Sequence, residues 1–205
     1  MMSSKGNLVV ISGPSGSGKG TVVKVVRELM PEIAVSVSAT TRAPREGEED
    51  GREYYFVSRD DFEDMIAGGE ILEYTSYCGN YYGTPKDEAV RIMGEGRDLI
   101  LEIEVDGASQ IKKLMPEALT IMLIPPTLSE LEERLRGRGT ESDEVVAKRI
   151  ATARDEIKLA DGYDYIVVNE DGKIKECAEL ICDIIRCDRN RSKRMKHITD
   201  KFLDK

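Results

Sequence analysis

The 205-residue sequence predicts an α/β fold with one small inserted domain, and three observations support this prediction. A glycine-rich loop at 13–21 lies between an apolar run at 8–11 and a stretch with helical periodicity. Further apolar runs then alternate with helical patterns along the chain. Between residues 54 and 82, short strand-like segments rich in tyrosine interrupt this alternation. We therefore expect a core domain of strands and helices that carries a second domain of roughly fifty residues.

The composition narrows the possible classes of function. A net charge of −9 argues against nucleic-acid binding through bulk positive charge. No apolar stretch is long enough to span a membrane and no apolar signal region lies near the start, so we expect a cytoplasmic protein. The four cysteines and the single histidine lack the spacing of a zinc site, and we expect reduced thiols that mostly fill the core. Because His197 lies in a charged tail, a nucleophile paired with histidine is nearly excluded.

Hydrophobic periodicity and turn residues predict the order of the elements. Strands are expected at 8–11, 33–38, 54–57, 71–77, 80–82, 99–105, 119–124 and 165–169. Helices are expected after Gly18, from Ser58 to Gly68, at 86–94, from Thr127 into 134–140, at 142–160 and at 173–186. The basic stretch 189–196 that follows is expected to be a solvated or frayed end.

The glycine-rich loop predicts a phosphate-binding site. Its residues are Gly13, Pro14, Ser15, Gly16, Ser17, Gly18, Lys19, Gly20 and Thr21. Glycines let backbone N–H groups approach phosphate oxygens, and the following helix points its positive end at the same oxygens. Lys19 can reach the β- and γ-phosphates of a nucleotide. The strict motif has serine or threonine directly after the lysine, whereas here Thr21, after Gly20, is the nearest hydroxyl for Mg²⁺. A glycine-rich turn without a ligand is the alternative.

Two further segments suggest chemistry near this loop. Glu102 and Glu104 end the predicted strand 99–105, and acids inside a buried run are costly without partners. They fit a role in organising Mg²⁺ and its waters, and chance acids at the edge of a core strand are the alternative. Glycines flank the basic cluster within 134–140, so we expect a mobile segment there.

The sequence resembles guanylate kinases over residues 8 to 186. The matching motifs lie at 12–19, 36–48, 51–57, 79–83, 134–140, 148–149 and 167–169. The second motif, Ser-Val-Ser-x-Thr-Thr-Arg-x-Pro-Arg-x-Gly-Glu, is the specific one, because glycine-rich phosphate loops occur in many folds. The resemblance implies a P-loop doubly wound parallel sheet and transfer of the γ-phosphoryl group from ATP to GMP with Mg²⁺. It also implies small-molecule substrates and a monomer or small homo-oligomer.

The resemblance also implies a division of the chain. It places a P-loop core domain at 1–37 and 85–186, an inserted GMP-binding subdomain at 38–84 and an arginine lid at 137–148. The basic tail at 187–205 has no counterpart in the family pattern. The lid and the inserted subdomain are expected to close over bound nucleotides, which would exclude water from the transfer.

Residue roles follow from the same resemblance. It implies catalytic roles for Lys19, Arg45, Arg138 and Arg149. Contacts with ATP are implied for the loop 13–21, Arg134 and Asn169. Contacts with GMP are implied for Ser38, Arg42, Arg45, Glu48, Tyr54, Glu73, Tyr82, Thr84 and Glu102. Thr21, Glu102 and Glu104 would hold Mg²⁺ directly or through water. The family often has Asp-x-Asp-x-Gln-Gly where residues 102–107 read Glu-Ile-Glu-Val-Asp-Gly, so carboxylates are kept on longer side chains.

Three rival functions belong to different classes. A catalytically inactive protein-binding module of this type typically lacks the loop lysine and the acceptor arginines, whereas Lys19, Arg42 and Arg45 are present here. A GTPase switch would need an Asn-Lys-x-Asp motif, which the sequence does not contain. A kinase for AMP or a pyrimidine monophosphate is disfavoured by Glu73 and by the stretch 38–42.

Overall fold

The computed structural model describes residues 6–77, 79–137 and 142–203. Within these ranges the main sheet, here called the core sheet, has five parallel strands in the order β2-β7-β1-β8-β9. Its strands are β1 (Leu8–Ser12), β2 (Ala34–Val35), β7 (Leu99–Glu102), β8 (Leu119–Ile124) and β9 (Tyr165–Val168). The central strand β1 is buried along its whole length, as expected for a parallel sheet covered on both faces.

A second sheet, here called the small sheet, has the strand order β4-β3-β6-β5 within the same described ranges. Its strands are β3 (Ser38–Thr40), β4 (Tyr54–Phe56), β5 (Ile71–Tyr77) and β6 (Asn80–Pro85). β5 and β6 form an antiparallel hairpin, and β3 pairs with β6 antiparallel and with β4 parallel. The tyrosine-rich segments therefore form a sheet of their own beside the core sheet.

Helices cover both faces of the core sheet. The described helices are α1 (Lys19–Leu29), α2 (Arg59–Ala67), α3 (Lys86–Gly94), α4 (Val105–Leu114), α5 (Leu128–Gly137), α6 (Asp143–Ile157), α7 (Ile174–Asp188) and α8 (Lys196–Phe202), of which α1 and α7 pack on one face of the core sheet and α3 and α4 on the other. Alternate residues of β1 face opposite sides: Val9 and Ile11 pack against α1 and α7, while Leu8 and Val10 pack against α3 and α4. The α/β prediction is confirmed. None of the described helices is long and apolar enough to cross a membrane.

Several element predictions were wrong at their boundaries. The segment 33–38 is not one strand, because the chain leaves the core sheet after Val35 and enters the small sheet at Ser38. The strand predicted at 99–105 ends at Glu102, because α4 begins at Val105 and Glu104 is its N-cap. α4 itself was not predicted. The helix predicted at 142–160 ends at Ile157, before a short 3₁₀ turn at Ala160–Gly162.

The basic segment after α7 is not a frayed end, which corrects the sequence-based expectation. Arg194 donates to Asp188 Oδ2, to Asn7 Oδ1 and to the carbonyl of Glu117, each at 2.7 Å. Arg189 Nε donates to Asp98 Oδ2 at 2.7 Å, and the other oxygen of Asp98 accepts from the backbone of Asn7. Because the carboxylates of Asp98 and Asp188 are buried, they require such partners. The segment thus ties the amino ends of β1, β7 and β8 together.

This network predicts a large effect for Arg194→Ala. The substitution leaves the buried Asp188 with fewer donors, so we expect the free energy of unfolding to fall by about 2–4 kcal/mol. Urea unfolding followed by circular dichroism measures the change. Lys193→Ala is the matched control, because Lys193 makes an exposed ion pair with Glu117 and should lose under about 1 kcal/mol. Equal losses in the two variants would show that the Arg194 network adds nothing beyond surface charge.

Candidate active site

The glycine-rich loop begins where β1 ends and leads into α1. Gly13 has φ of 148°, and a Cβ there would lie 2.0 Å from the carbonyl oxygen of Leu123 on β8. Only glycine fits this close approach of two backbones. Lys19 is 8% exposed, and its ammonium group donates to the Gly13 carbonyl at 2.6 Å. The ammonium group also lies 3.5 Å from Glu104 Oε2, so the loop lysine forms an ion pair with the acid that follows β7.

Two residues predicted to contact ATP support the loop from its other side. Asn169 is buried, and its Nδ2 donates to the carbonyl of Ser17 at 2.8 Å. Arg134 Nη2 donates to the carbonyl of Asn169 at 2.8 Å. Gly18 has φ of 92°, and a Cβ there would lie 2.5 Å from Asn169 Nδ2. These hydrogen bonds of Asn169 and Arg134 hold the backbone of the loop in place.

Gly20 lies directly beside Glu102. A Cβ at position 20 would be 3.3 Å from Glu102 Oε1, closer than most real contacts of a Cβ atom. The carboxylate therefore borders the space that a serine or threonine side chain of the strict motif would take. Thr21, the nearest hydroxyl in sequence, is exposed. The long side chain of Glu102 can therefore reach this position because Gly20 has no side chain there.

Acidic side chains shape the electrostatics around the loop lysine. Burial raises the pKa of Glu102, Lys19 opposes that shift, and Glu104 adds to it. A further acid that the sequence did not indicate is Glu156 on α6. Burial and the carboxylates of Glu104 and Asp106 raise its pKa to about 7, with Lys19 opposing. Its position in a helical pattern gave no signal that it would interact with the charges of Lys19 and Glu104.

A cavity of about 200 Å³ opens between the small sheet and the end of β7. It is lined by Ser38, Tyr54, Glu73, Thr75, Tyr77, Tyr82, Gly83, Glu102, Ile103 and Glu104. Five of these were predicted to contact GMP, and two, Glu102 and Glu104, were predicted to hold Mg²⁺. The fold thus brings residues distant in sequence into one space. Thr75 and Tyr77 were not predicted. They follow Glu73 at alternate positions on β5, and the period of two along a strand could have identified them.

Glu73 carries a buried carboxylate at the side of this cavity. The side chain of Thr84 donates to Glu73 Oε1 at 2.7 Å. Its other oxygen faces α4, where a Cβ on Gly107 would lie 2.2 Å from Oε2. Burial raises the pKa of Glu73 to about 7, although the hydrogen bonds from Thr84 oppose the shift. Thr84 is itself fully buried and contacts this carboxylate from outside the cavity lining.

The predicted acceptor arginines lie in the loop after β3. Both terminal nitrogens of Arg42 pair with the two carboxylate oxygens of Glu48, at 2.9 and 3.0 Å. The guanidinium of Arg42 also lies over the ring of Tyr54, 5.3 Å from its centroid. The backbone N–H of Arg45 donates to Glu48 at 2.7 Å, while the Arg45 side chain is exposed. Glu48 thus offers Arg42 the bidentate oxyanion geometry that a phosphate group also presents.

Arg149 on α6 connects three parts of the site. Its Nη1 donates to Ser15 Oγ of the loop at 3.4 Å, and its guanidinium lies 5.7 Å from the ring centroid of Tyr77. α6 therefore reaches both the loop and the β5–β6 hairpin. Arg138, predicted to be a lid arginine, lies outside the described residues, as does most of the segment between α5 and α6.

The donor set near the loop suits Mg²⁺ better than a metal held by protein ligands alone. Among the described residues, no group of three or more histidine, cysteine, aspartate or glutamate side chains is arranged to hold a metal ion. Magnesium usually binds one or two carboxylates together with water and substrate phosphates. Glu102 and Glu104 offer such carboxylates beside Lys19 and Gly20.

Comparisons with known proteins agree with this geometry. A family model described as guanylate kinase matches residues 5–186. A guanylate kinase of Clostridioides difficile (strain 630) is 46% identical over 205 residues, which cover 100% of this chain and 99% of the relative. A guanylate kinase of Carboxydothermus hydrogenoformans is 50% identical over 167 residues, with 82% of each chain covered. The crystal structure of guanylate kinase from Anaplasma phagocytophilum has a TM-score of 0.76 and 31% identity, covering 98% of this chain and 96% of that one. Because these matches extend along nearly the whole sequence, the chain belongs to the guanylate kinase family.

Proposed function

We propose that the protein transfers the γ-phosphoryl group of ATP to GMP and releases ADP and GDP. One observation carries the proposal: Glu104 lines the cavity of the small sheet and also lies 3.5 Å from the loop lysine, Lys19. ATP bound by the loop and GMP bound in the cavity would thus meet at Lys19 and Glu104. In this proposal, residues 1–37 and 85–186 form the P-loop core domain that binds ATP, and residues 38–84 form the inserted subdomain that binds GMP, with Glu102 of the core also contacting GMP.

The donor side would act through positioning and charge. Phosphoryl transfer needs alignment and neutralisation of charge more than covalent chemistry. The glycine-rich loop presents backbone N–H groups, and Lys19 adds a positive charge where negative charge develops. Mg²⁺, when bound with ATP, would neutralise charge between the β- and γ-phosphates, and Glu102 and Glu104 would hold it directly or through water. Arg149 would contribute from α6, and Arg138 from the lid.

The acceptor side would distinguish guanine by hydrogen bonding. Guanine presents two donors on one edge, and an ionised carboxylate can accept from both. Adenine presents an unprotonated nitrogen at the corresponding place, so the same carboxylate would face an acceptor. Glu73 is a buried carboxylate in the lining of the cavity, which Ser38 also lines. Arg42 would exchange Glu48 for the acceptor phosphate, with Arg45, Tyr54 and Tyr82 beside it.

The proposal is tested by coupled measurement of ADP release with GMP, AMP, CMP and UMP. We expect release that depends on ATP, Mg²⁺ and GMP. Lys19→Met should lower turnover by two or more orders of magnitude, because one charge is lost where charge develops in the transition state. Lys24→Met on the exposed face of α1 is the matched control and should keep turnover within about twofold.

The outcomes separate the rival functions. Folded wild-type protein without GMP-dependent release would favour a protein-binding module. Preference for AMP or a pyrimidine monophosphate would assign a different acceptor. Near-normal turnover of Lys19→Met would remove the loop from the mechanism.

The buried carboxylate of Glu73 also predicts a pH dependence of stability. Its pKa is about 7 in the folded protein against 4.5 for an ordinary glutamate, so the folded state binds the proton more tightly than the unfolded chain. Its contribution to stability is therefore retained at low pH and lost as the pH rises from about 4.5 to 7. The loss amounts to about 3 kcal/mol at pH 8. Glu73→Gln removes the charge and keeps the shape.

We therefore expect the stability of Glu73→Gln relative to wild type to increase by about 2–3 kcal/mol between pH 5 and pH 8. Urea unfolding of both proteins at each pH gives the difference, which cancels other groups that titrate in the same range, such as Glu156. Parallel stability curves would contradict the raised pKa. The same variant should lose its preference for GMP, since an amide no longer offers two acceptor positions.

The contact between positions 20 and 102 predicts a coupled pair. Gly20→Ser should crowd the Glu102 carboxylate, and Glu102→Asp should withdraw that carboxylate from the loop. The double variant restores a hydroxyl and makes room for it, so its losses should be smaller than the sum of the single losses by about 1 kcal/mol or more. Calorimetry of ATP binding with and without Mg²⁺, together with melting temperature, measures the cycle. Additive losses would mean that the two positions act independently.

A further inference from the structure

The side chain of Gln110 on α4 holds both polar groups of one peptide residue on β5. Its Nε2 donates to the carbonyl of Tyr74 at 2.8 Å, and its Oε1 accepts from the N–H of Tyr74 at 3.3 Å. A primary amide can make this paired contact because it carries a donor and an acceptor side by side. The contact joins residues 36 positions apart in sequence.

β5 needs such a partner because it is one of the two outer strands of the small sheet as described. An outer strand has one row of N–H and C=O groups without a neighbouring strand. The register of the β5–β6 pair also shifts between Ile71 and Tyr74, so the hairpin is irregular at this point. The amide of Gln110 therefore takes the place of a peptide group from a further strand, and it belongs to a helix of the core domain.

The same face of α4 contacts Glu73, the residue before Tyr74. Gly107 lies one turn before Gln110, and its missing side chain makes room for the Glu73 carboxylate, since a Cβ would lie 2.2 Å from Oε2. The turn of α4 at Gly107 thus determines where the Glu73 carboxylate can lie, and the next turn, at Gln110, holds the backbone of Tyr74. α4 begins at Val105, directly after Glu104, so the same short helix leads from the loop lysine's ion-pair partner to β5.

We propose that Gln110 is a positioning residue that sets Glu73 for recognition of the acceptor base. The inference rests on the proposed function of the cavity. Glu73 remains the residue that would touch the base, and Gln110 acts on it through the backbone of Tyr74. Loss of the Gln110 side chain should lower both the affinity for the acceptor nucleotide and the selectivity for its base. Binding of ATP at the loop 13–21 should be unchanged.

The test compares Gln110→Met with wild type in steady-state kinetics. Methionine keeps the length and helix propensity of glutamine but makes neither hydrogen bond. We expect the KM for GMP to rise about five- to tenfold, with the KM for ATP and kcat within about twofold. The ratio of kcat/KM for GMP to that for IMP, which lacks the exocyclic amino donor, should fall at least about threefold. Lys113→Met, at an exposed position of α4, is the matched control.

A second measurement keeps the inference testable if activity is low. Amide hydrogen exchange of Tyr74 should be faster in Gln110→Met and unchanged in Lys113→Met. Wild-type protein without GMP-dependent turnover would overturn the proposed function itself. Active wild type together with an unchanged GMP-to-IMP ratio in Gln110→Met would overturn the inference, as would equal changes in the KM for ATP and for GMP. If Gln110→Met does not fold, Gln110→Ala takes its place, and two unfolded variants would assign Gln110 to the fold alone and overturn the positioning role.

Discussion

Much of the structure depends on how the buried ammonium group of Lys19 obtains a hydrogen bond and an opposite charge. A charge taken out of water is stable only with hydrogen bonds and an opposite charge near it. Lys19 receives both, from the carbonyl of Gly13 and from Glu104. The first partner requires the loop to turn sharply at the end of β1, in contact with the backbone of Leu123. The second requires the chain after β7 to run directly into α4. The pairing of the Lys19 side chain thus depends on the relative positions of strands β1, β7 and β8 and of helices α1 and α4.

The two ends of the core sheet have different tasks. The carboxyl ends of β1 and β7 bear the loop and the acids, which is where ligands bind in open α/β sheets. The amino ends are held by the basic segment after α7, through Arg189, Arg194 and the buried Asp98 and Asp188. Because these ion pairs lie at the end of the core sheet opposite the loop, they can contribute stability without restricting the cavity. The basic charge that the sequence placed in a solvated tail is therefore balanced by two buried acids, Asp188 close by in sequence and Asp98, 91 positions from Arg189.

The sequence predicted the elements whose pattern is local. The loop at 13–21, the strand 119–124 and the helix 86–94 follow from glycine spacing, a continuous apolar run and helical periodicity, and all three occur. The strand at 99–105 was extended too far because Val105 continues the apolar alternation, although in three dimensions it starts α4. The split of 33–38 between two sheets leaves no local signal, because both halves are strand. The contacts of Gln110 with Tyr74 and of Gly20 with Glu102 depend on tertiary structure, which periodicity cannot report.

The cavity shows why a binding site can cost stability. Glu73 has Thr84 as a hydrogen-bond donor, yet burial still raises its pKa to about 7, so the donors present in the fold do not fully compensate an ionised carboxylate. A base edge with two N–H donors would supply the missing compensation. Binding such a ligand would favour the ionised form and stabilise the folded state in proportion to its concentration. Under the proposed function, the incompletely compensated carboxylate of Glu73 would gain from a base with two N–H donors, whereas a base without those donors would leave the cost of burying it in place.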